Sequence, residues 1–202
     1  MKNEILKESS REVKTFAELM HGADSMLEKA SNGIEGSYYC LISSLILCAF
    51  SFEAYMNHLG IKHYSLWKKE DRLSVLGKYV HLCEHLKIAN PDFGCGDCQI
   101  LKSLFKYRDM MAHGETHVLE LAKPVKRSPD DMSYILKSEW ENFTTLPTVK
   151  KCLTSVQAII NKMNYAAGLG EYAFGSGIEV SDVEYEMINK ASNSGAAGRA
   201  DS

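Results

Sequence analysis

The residue types able to do chemistry gather in one run, Arg108-Asp109-Met110-Met111-Ala112-His113-Gly114. Wound at about 100° per residue, a helix carrying this run sets Ile100, Leu101, Leu104, Phe105, Met111 and Ala112 on one apolar arc, with Arg108 near its middle. A guanidinium held in a core without partners is costly, so the fold must supply acceptors or open that face to a ligand. Glu53 and Asn57 stand four residues apart on an earlier helix, sharing a face with Ile46 and Phe50. They are expected to meet Arg108 across the bundle, the carboxylate pairing with the guanidinium and the amide completing its hydrogen bonds. The plainer alternative is a purely structural buried ion pair.

On the same wheel His113 falls about 120° from Leu101, close to Lys102 and Lys106 and one turn from Asp109. Such a flank could hold a phosphate backbone through the lysines while Asp109 orients the imidazole. Two lysines on a solvated helix side are also ordinary. Cys95-Gly96-Asp97-Cys98 is the other chemistry-bearing group, and Cys83, His81 or His85 would be the further ligands of a zinc site there. One such pair is half a site; no second pair stands at finger or ribbon spacing, and a loop leading into an Asp97 N-cap explains the segment as well. No nucleotide-binding glycine loop, His-Glu-x-x-His or Gly-x-Ser-x-Gly pattern occurs. His21, His58, His63, His81, His85 and His117 lack ligand spacing and read as surface or helix-flank residues.

The elements that must position these groups are helical. Val13, Phe16, Met20, Ala23, Leu27 and Ala30 make a stripe over residues 10–30, ended by Ser31-Asn32-Gly33. A second helix over 36–59 is apolar all round through Phe50, which predicts a central helix covered on every side, with Gly60 as its stop. Leu73, Leu76, Val80, Cys83 and Leu86 carry a third over 71–88, closed by Asn90-Pro91, and a fourth runs from Asp97 to His113 with Gly114 in the stop position. Residues 117–139 hold two extended-looking pieces, a candidate small hairpin or loop insertion. The last long helix, over 145–167, has Pro147 in its first turn and a stripe of Val149, Cys152, Leu153, Val156, Ile160 and Met163. The expected fold is therefore an all-α bundle of four or five helices over residues 1–168. A C-terminal extension over 169–202 reads as largely flexible, with a short helix starting at Ser181-Asp182-Val183-Glu184.

At 202 residues, 45% apolar and 24% charged, the chain has the balance of one globular domain rather than of a disordered polymer. Only four prolines and helical apolar spacing argue against a sandwich or barrel. A net charge of −3 means that any contact with RNA must come from a local patch rather than a global field. The apolar run from Tyr38 to Phe52 includes Ser43, Ser44 and Ser51 and stops at Glu53, short of the roughly 20 residues a membrane span needs, so no membrane association is expected. Of the six cysteines, Cys40, Cys48, Cys83 and Cys152 fall among apolar helix positions and read as core thiols. With no signal-peptide stretch at the N-terminus, a reducing cytoplasm is the expected compartment.

Taken together, the Arg108-to-His113 motif, its Ala-His-Gly ending and the segment Ser51-Phe52-Glu53-Ala54-Tyr55-Met56-Asn57 closing the long apolar helix resemble the prokaryotic HEPN family. Those domains are α-helical bundles whose signature is arginine, a polar residue, a short spacer and histidine; the likeness covers residues 10–168. The resemblance implies a metal-independent endoribonuclease of toxin–antitoxin or phage-defence type, with no cofactor. His113 would serve as general base or acid at the 2′-hydroxyl and the leaving oxygen, a role that suits an imidazole. Arg108 would stabilise charge on the phosphorane, its fork of donors matching phosphate oxygens. The product would be a 2′,3′-cyclic phosphate. It also implies RNA as partner, a homodimer that brings two motifs into one cleft, and an antitoxin or nucleotidyltransferase as a further partner. Other family members are silent, serving in dimerisation, nucleotide binding or partner docking.

Overall fold

The computed structural model describes residues 5–7, 11–65, 67, 72–116, 118–120, 136–175, 178–180 and 185–187. Among these residues six helices form an all-α bundle: α1 (Thr15–Ser31), α2 (Ser37–His63), α3 (Val75–His85), α4 (Gly96–Ala112), α5 (Glu139–Phe143) and α6 (Leu146–Ala166). They lie within one compact unit, Lys14–Gly177. The second unit joins the two ends of the chain. In it β1 (Ile5–Lys7) pairs antiparallel with β4 (Tyr185–Met187), and β2 (Arg11–Val13) pairs antiparallel with β3 (Ile178–Val180).

Helix α2 is the axis of the bundle, packing along α1 and against α6, α3 and α4. Its polar residues show why it belongs there. The buried Ser44 and Ser51 donate to the carbonyls of Ala23 and Phe16 on α1 at 2.8 and 2.7 Å. Tyr55 donates to Asn164 on α6 at 3.3 Å, and Asn164 in turn donates to the Gly170 carbonyl at 2.9 Å. Every one of these hydroxyls exchanges water for a partner within the bundle, which is the condition for burying it cheaply. Leu45, Cys48, Ala49, Phe52, Met56 and Leu59 supply the apolar side of the same helix. By length and composition alone α2 is also long and apolar enough to cross a membrane.

Several expectations need correction. Helix α2 is not covered on every side: Tyr39, Phe50 and Ile61 are exposed, eleven residues apart in turn and therefore on nearly one line of the helix. Gly60 does not stop it. The helix continues to His63, and the Trp67 ring folds back onto Gly60, where a Cβ would stand 2.1 Å from a ring carbon. The glycine is there for close approach rather than for a left-handed turn. Gly60→Ala is accordingly expected to destabilise the fold by about 1–3 kcal/mol, the usual cost of overpacking, read as a lowered midpoint in denaturant. An unchanged midpoint would mean that Trp67 leaves Gly60 without cost.

Helix α1 begins at Thr15 rather than Ser10, since Arg11–Val13 is a strand. Helix α3 starts at Val75 behind an N-cap at Ser74, whose hydroxyl accepts from Gly77 N–H at 3.1 Å. Of the insertion expected over 117–139, residues 117 and 121–135 lie outside the described residues, and its final residue opens α5. The boundary expected at residue 168 falls inside the bundle unit. The proposed short helix at Ser181 and the tail over 191–202 lie outside the described residues, while strands stand on either side of 181–184.

Candidate functional site

Helix α4 is fixed at its start and along one side. It begins behind Cys95 rather than Asp97; Asp97 sits in the first turn, where its carboxylate accepts from Ser155 of α6 at 2.7 Å. Leu101, Leu104 and Phe105 enter the core, joined by Tyr107, whose ring stacks on Phe143 at 5.3 Å and whose hydroxyl accepts from Thr144 at 3.1 Å. Burial therefore leans toward Tyr107, and Ala112 at the end of the helix is exposed.

Arg108 lies on the inner arc as expected, but at the rim between α4 and α2 rather than deep in the core: its side chain keeps 23% of its surface open. A terminal guanidinium nitrogen stands 3.7 Å from the Glu53 carboxylate, and the guanidinium carbon 5.2 Å from the centre of the Phe105 ring. Arg108 Nε is 3.3 Å from Asp109 Oδ1. That is ion-pair distance without hydrogen-bond alignment, so Nε is a buried donor with no hydrogen-bond acceptor. Buried donors without a hydrogen-bond acceptor are uncommon in native structures.

Glu53 thus takes its expected place, whereas Asn57 does not. The Asn57 side-chain oxygen accepts from Lys78 Nζ at 3.1 Å, drawn away by α3. Lys78 is buried, and its ammonium also lies 5.7 Å from the centre of the Trp67 ring. Asp109 turns toward Arg108 rather than orienting the His113 imidazole; the observed link between Asp109 and His113 is the backbone bond from His113 N–H to the Asp109 carbonyl, 2.9 Å.

His113 is the exposed residue that ends α4. It opens onto a cleft of about 610 Å³ whose wall includes Asp109, Glu115, Val118, Leu119, Glu139 and Trp140. Of the two lysines on the flank, Lys102 faces solvent and Lys106 is paired with Glu139 of α5. The phosphate-holding strip is therefore reduced, and among the described residues three carboxylates stand at the cleft with His113.

The wall formed by Glu139 and Trp140 was absent from the reading of the sequence, although Ser138-Glu139-Trp140-Glu141 carries capping-box spacing. The box is made: Ser138 N–H donates to Glu141 at 2.7 Å and Glu141 N–H donates to Ser138 Oγ at 3.3 Å. The two Ser138 donors hold the Glu141 carboxyl below its usual range.

His63, His81 and His85 are not scattered flank residues, because Tyr64 meets the rings of His81 and His85 at 5.0 and 5.2 Å, and His85 Nε2 lies 2.9 Å from the His63 carbonyl. His58 packs on Phe16 at 5.0 Å. His117 lies outside the described residues. Among the described residues no group of three or more His, Cys, Asp or Glu side chains is placed to hold a metal ion, so Cys95 and Cys98 gain no further ligands there from Cys83, His81 or His85.

No protein-family model, curated protein or solved structure matches this chain.

Proposed function

We propose that the protein is a HEPN-type endoribonuclease of the cytoplasm, a toxin or phage-defence protein that cleaves RNA without metal by attack of the 2′-hydroxyl on the adjacent phosphate. The observation that carries this reading is the placement of Arg108: at the rim of α4, held between Glu53 and Asp109, with 23% of its side chain open to solvent. A phosphate oxygen is the acceptor such a planar fork is built to take. His113, exposed at the end of the same helix, is free to exchange a proton with an RNA oxygen. RNA supplies its own nucleophile, so an acid–base group and a positive donor suffice for the transfer. Asp109 and Glu53 position Arg108 in this scheme, and Lys102 contacts the RNA backbone.

A homodimer completes the proposal, because one chain offers one Arg108 and one His113. An antitoxin or a nucleotidyltransferase would be the restraining partner. The test is cleavage of single-stranded RNA by the purified protein in EDTA, with end-group analysis of the product. Metal-free cleavage that leaves 2′,3′-cyclic ends is expected; intact RNA under all conditions would remove the assignment.

A second reading has a specific observation behind it. Lys106 is engaged by Glu139, and among the described residues Asp109, Glu115 and Glu139 put carboxylates at the cleft beside His113, which disfavours a polyanion. A catalytically silent HEPN module, serving in dimerisation or partner docking, fits that surface.

A further inference from the structure

The helix that ends at His113 begins at a pair of thiols. Cys95 is its N-cap and is exposed; its carbonyl accepts from Gln99 N–H at 3.1 Å, closing the first turn. Cys98 lies within that turn, half-buried, with Sγ 3.8 Å from the hydroxyl of the buried Tyr79. Between them Gly96 has φ +56°, a conformation that costs glycine little and that bends the chain sharply into the helix. The bond from Gln99 N–H to the Cys95 carbonyl closes one turn of chain that contains both cysteines. A disulfide needs Cα atoms about 4.4–6.8 Å apart, the spacing of the two ends of a single closed turn, and rotation of the side chains would bring the sulfurs together.

The loop before the helix sets the outer thiol in place. Asp92 accepts from Gly94 N–H at 2.8 Å through one oxygen and from Cys95 Sγ at 3.3 Å through the other. Of the remaining four thiols Cys40 is half-buried rather than in the core as expected, and the other three are of a different kind. Cys48, Cys83 and Cys152 are buried, and burial pushes their titration up, to about 11 for Cys83 and about 12 for Cys152. They are held as inert core groups.

We propose that Cys95 and Cys98 form a thiol–disulfide exchange site for a small-molecule disulfide of the glutathione class, with Cys95 as the attacking thiol and Cys98 as the resolving one. The Cys95 thiolate attacks one sulfur of the small disulfide, forming a mixed disulfide and releasing one small thiol. Cys98, leaving Tyr79 and giving up its proton to solvent, then attacks Sγ of Cys95 and releases the second. Two protein thiols become one disulfide while one small disulfide becomes two thiols. Asp92 acts as a brake: its carboxylate holds the Cys95 proton and raises the titration of that thiol, so less thiolate is present at neutral pH. This site is independent of the ribonuclease reading, and its readout is mass rather than RNA cleavage.

The full-length native protein, incubated with oxidised glutathione and quenched in acid, tests it by intact mass and peptide mapping. Wild type is expected to lose two hydrogens, with the disulfide joining Cys95 to Cys98. Cys98→Ser should stop at glutathione attached to Cys95, and Asp92→Asn should react several-fold faster than wild type at neutral pH. Wild type ending as a stable glutathione adduct, or with the disulfide joining another pair, would overturn the exchange site. An Asp92→Asn rate equal to wild type would overturn the brake.

Discussion

His113→Ala is expected to lower metal-free RNA cleavage by about 10²–10⁴-fold, the usual contribution of a positioned acid–base group, while leaving the melting temperature nearly unchanged. The two halves of that expectation have different grounds. Loss of rate rests on the proposed chemistry. Preserved stability rests on the structure: His113 is exposed, and its hydrogen bond among the described residues is a backbone N–H to the Asp109 carbonyl, which alanine supplies equally well. Cleavage by the alanine variant at the wild-type rate, measured on the same RNA in EDTA, would leave the ribonuclease mechanism without its acid–base group. A variant that lost activity and melted early would instead point to a role in holding the end of α4.

Arg108→Ala should cost about 10²–10³-fold in rate, as the loss of one charge-stabilising donor does elsewhere. Here a structural role competes more seriously, since removing the guanidinium leaves Glu53 without its partner. The Glu53 side chain keeps 34% of its surface open, so water can solvate it and the destabilisation should be small, as for other partly exposed pairs. Arg108→Lys separates the cases. A lysine keeps the charge beside Glu53 but not the planar fork, so it should restore stability more fully than cleavage. Equal recovery of both by lysine would make Arg108 a structural cation, and full activity in the alanine variant would end its catalytic assignment.

How far the site could be read from sequence depended on whether its partners lay along one helix face or arrived from elsewhere. The Arg108–Glu53 pairing was legible because winding α4 isolates an arginine on an apolar arc and the long apolar helix offers a carboxylate as it ends. Asn57 was misassigned because Lys78 reaches it from α3, and no periodicity reports which of two cations an amide will meet. Gly60 looked like a stop for a similar reason: the ring it must clear belongs to Trp67, beyond the end of its own helix. The strand pairs escaped notice because each strand has three residues, too few for an alternating pattern to show. Helix α5 was readable in principle, since its Ser138–Glu141 capping box is written in the chain, but a five-residue helix has no apolar stripe to accompany the cap.

The two tryptophans divide the molecule in a way that spectroscopy can exploit. Trp67 is buried against Gly60, where its emission should be that of an indole shielded from water and should report only whether the α2 end is intact. Trp140 is half-buried in the wall of the cleft beside His113, so a nucleotide stacking or lodging there should quench its emission directly. With Trp67→Phe as background, the cleft carries its own optical probe; with Trp140→Phe, the fold does.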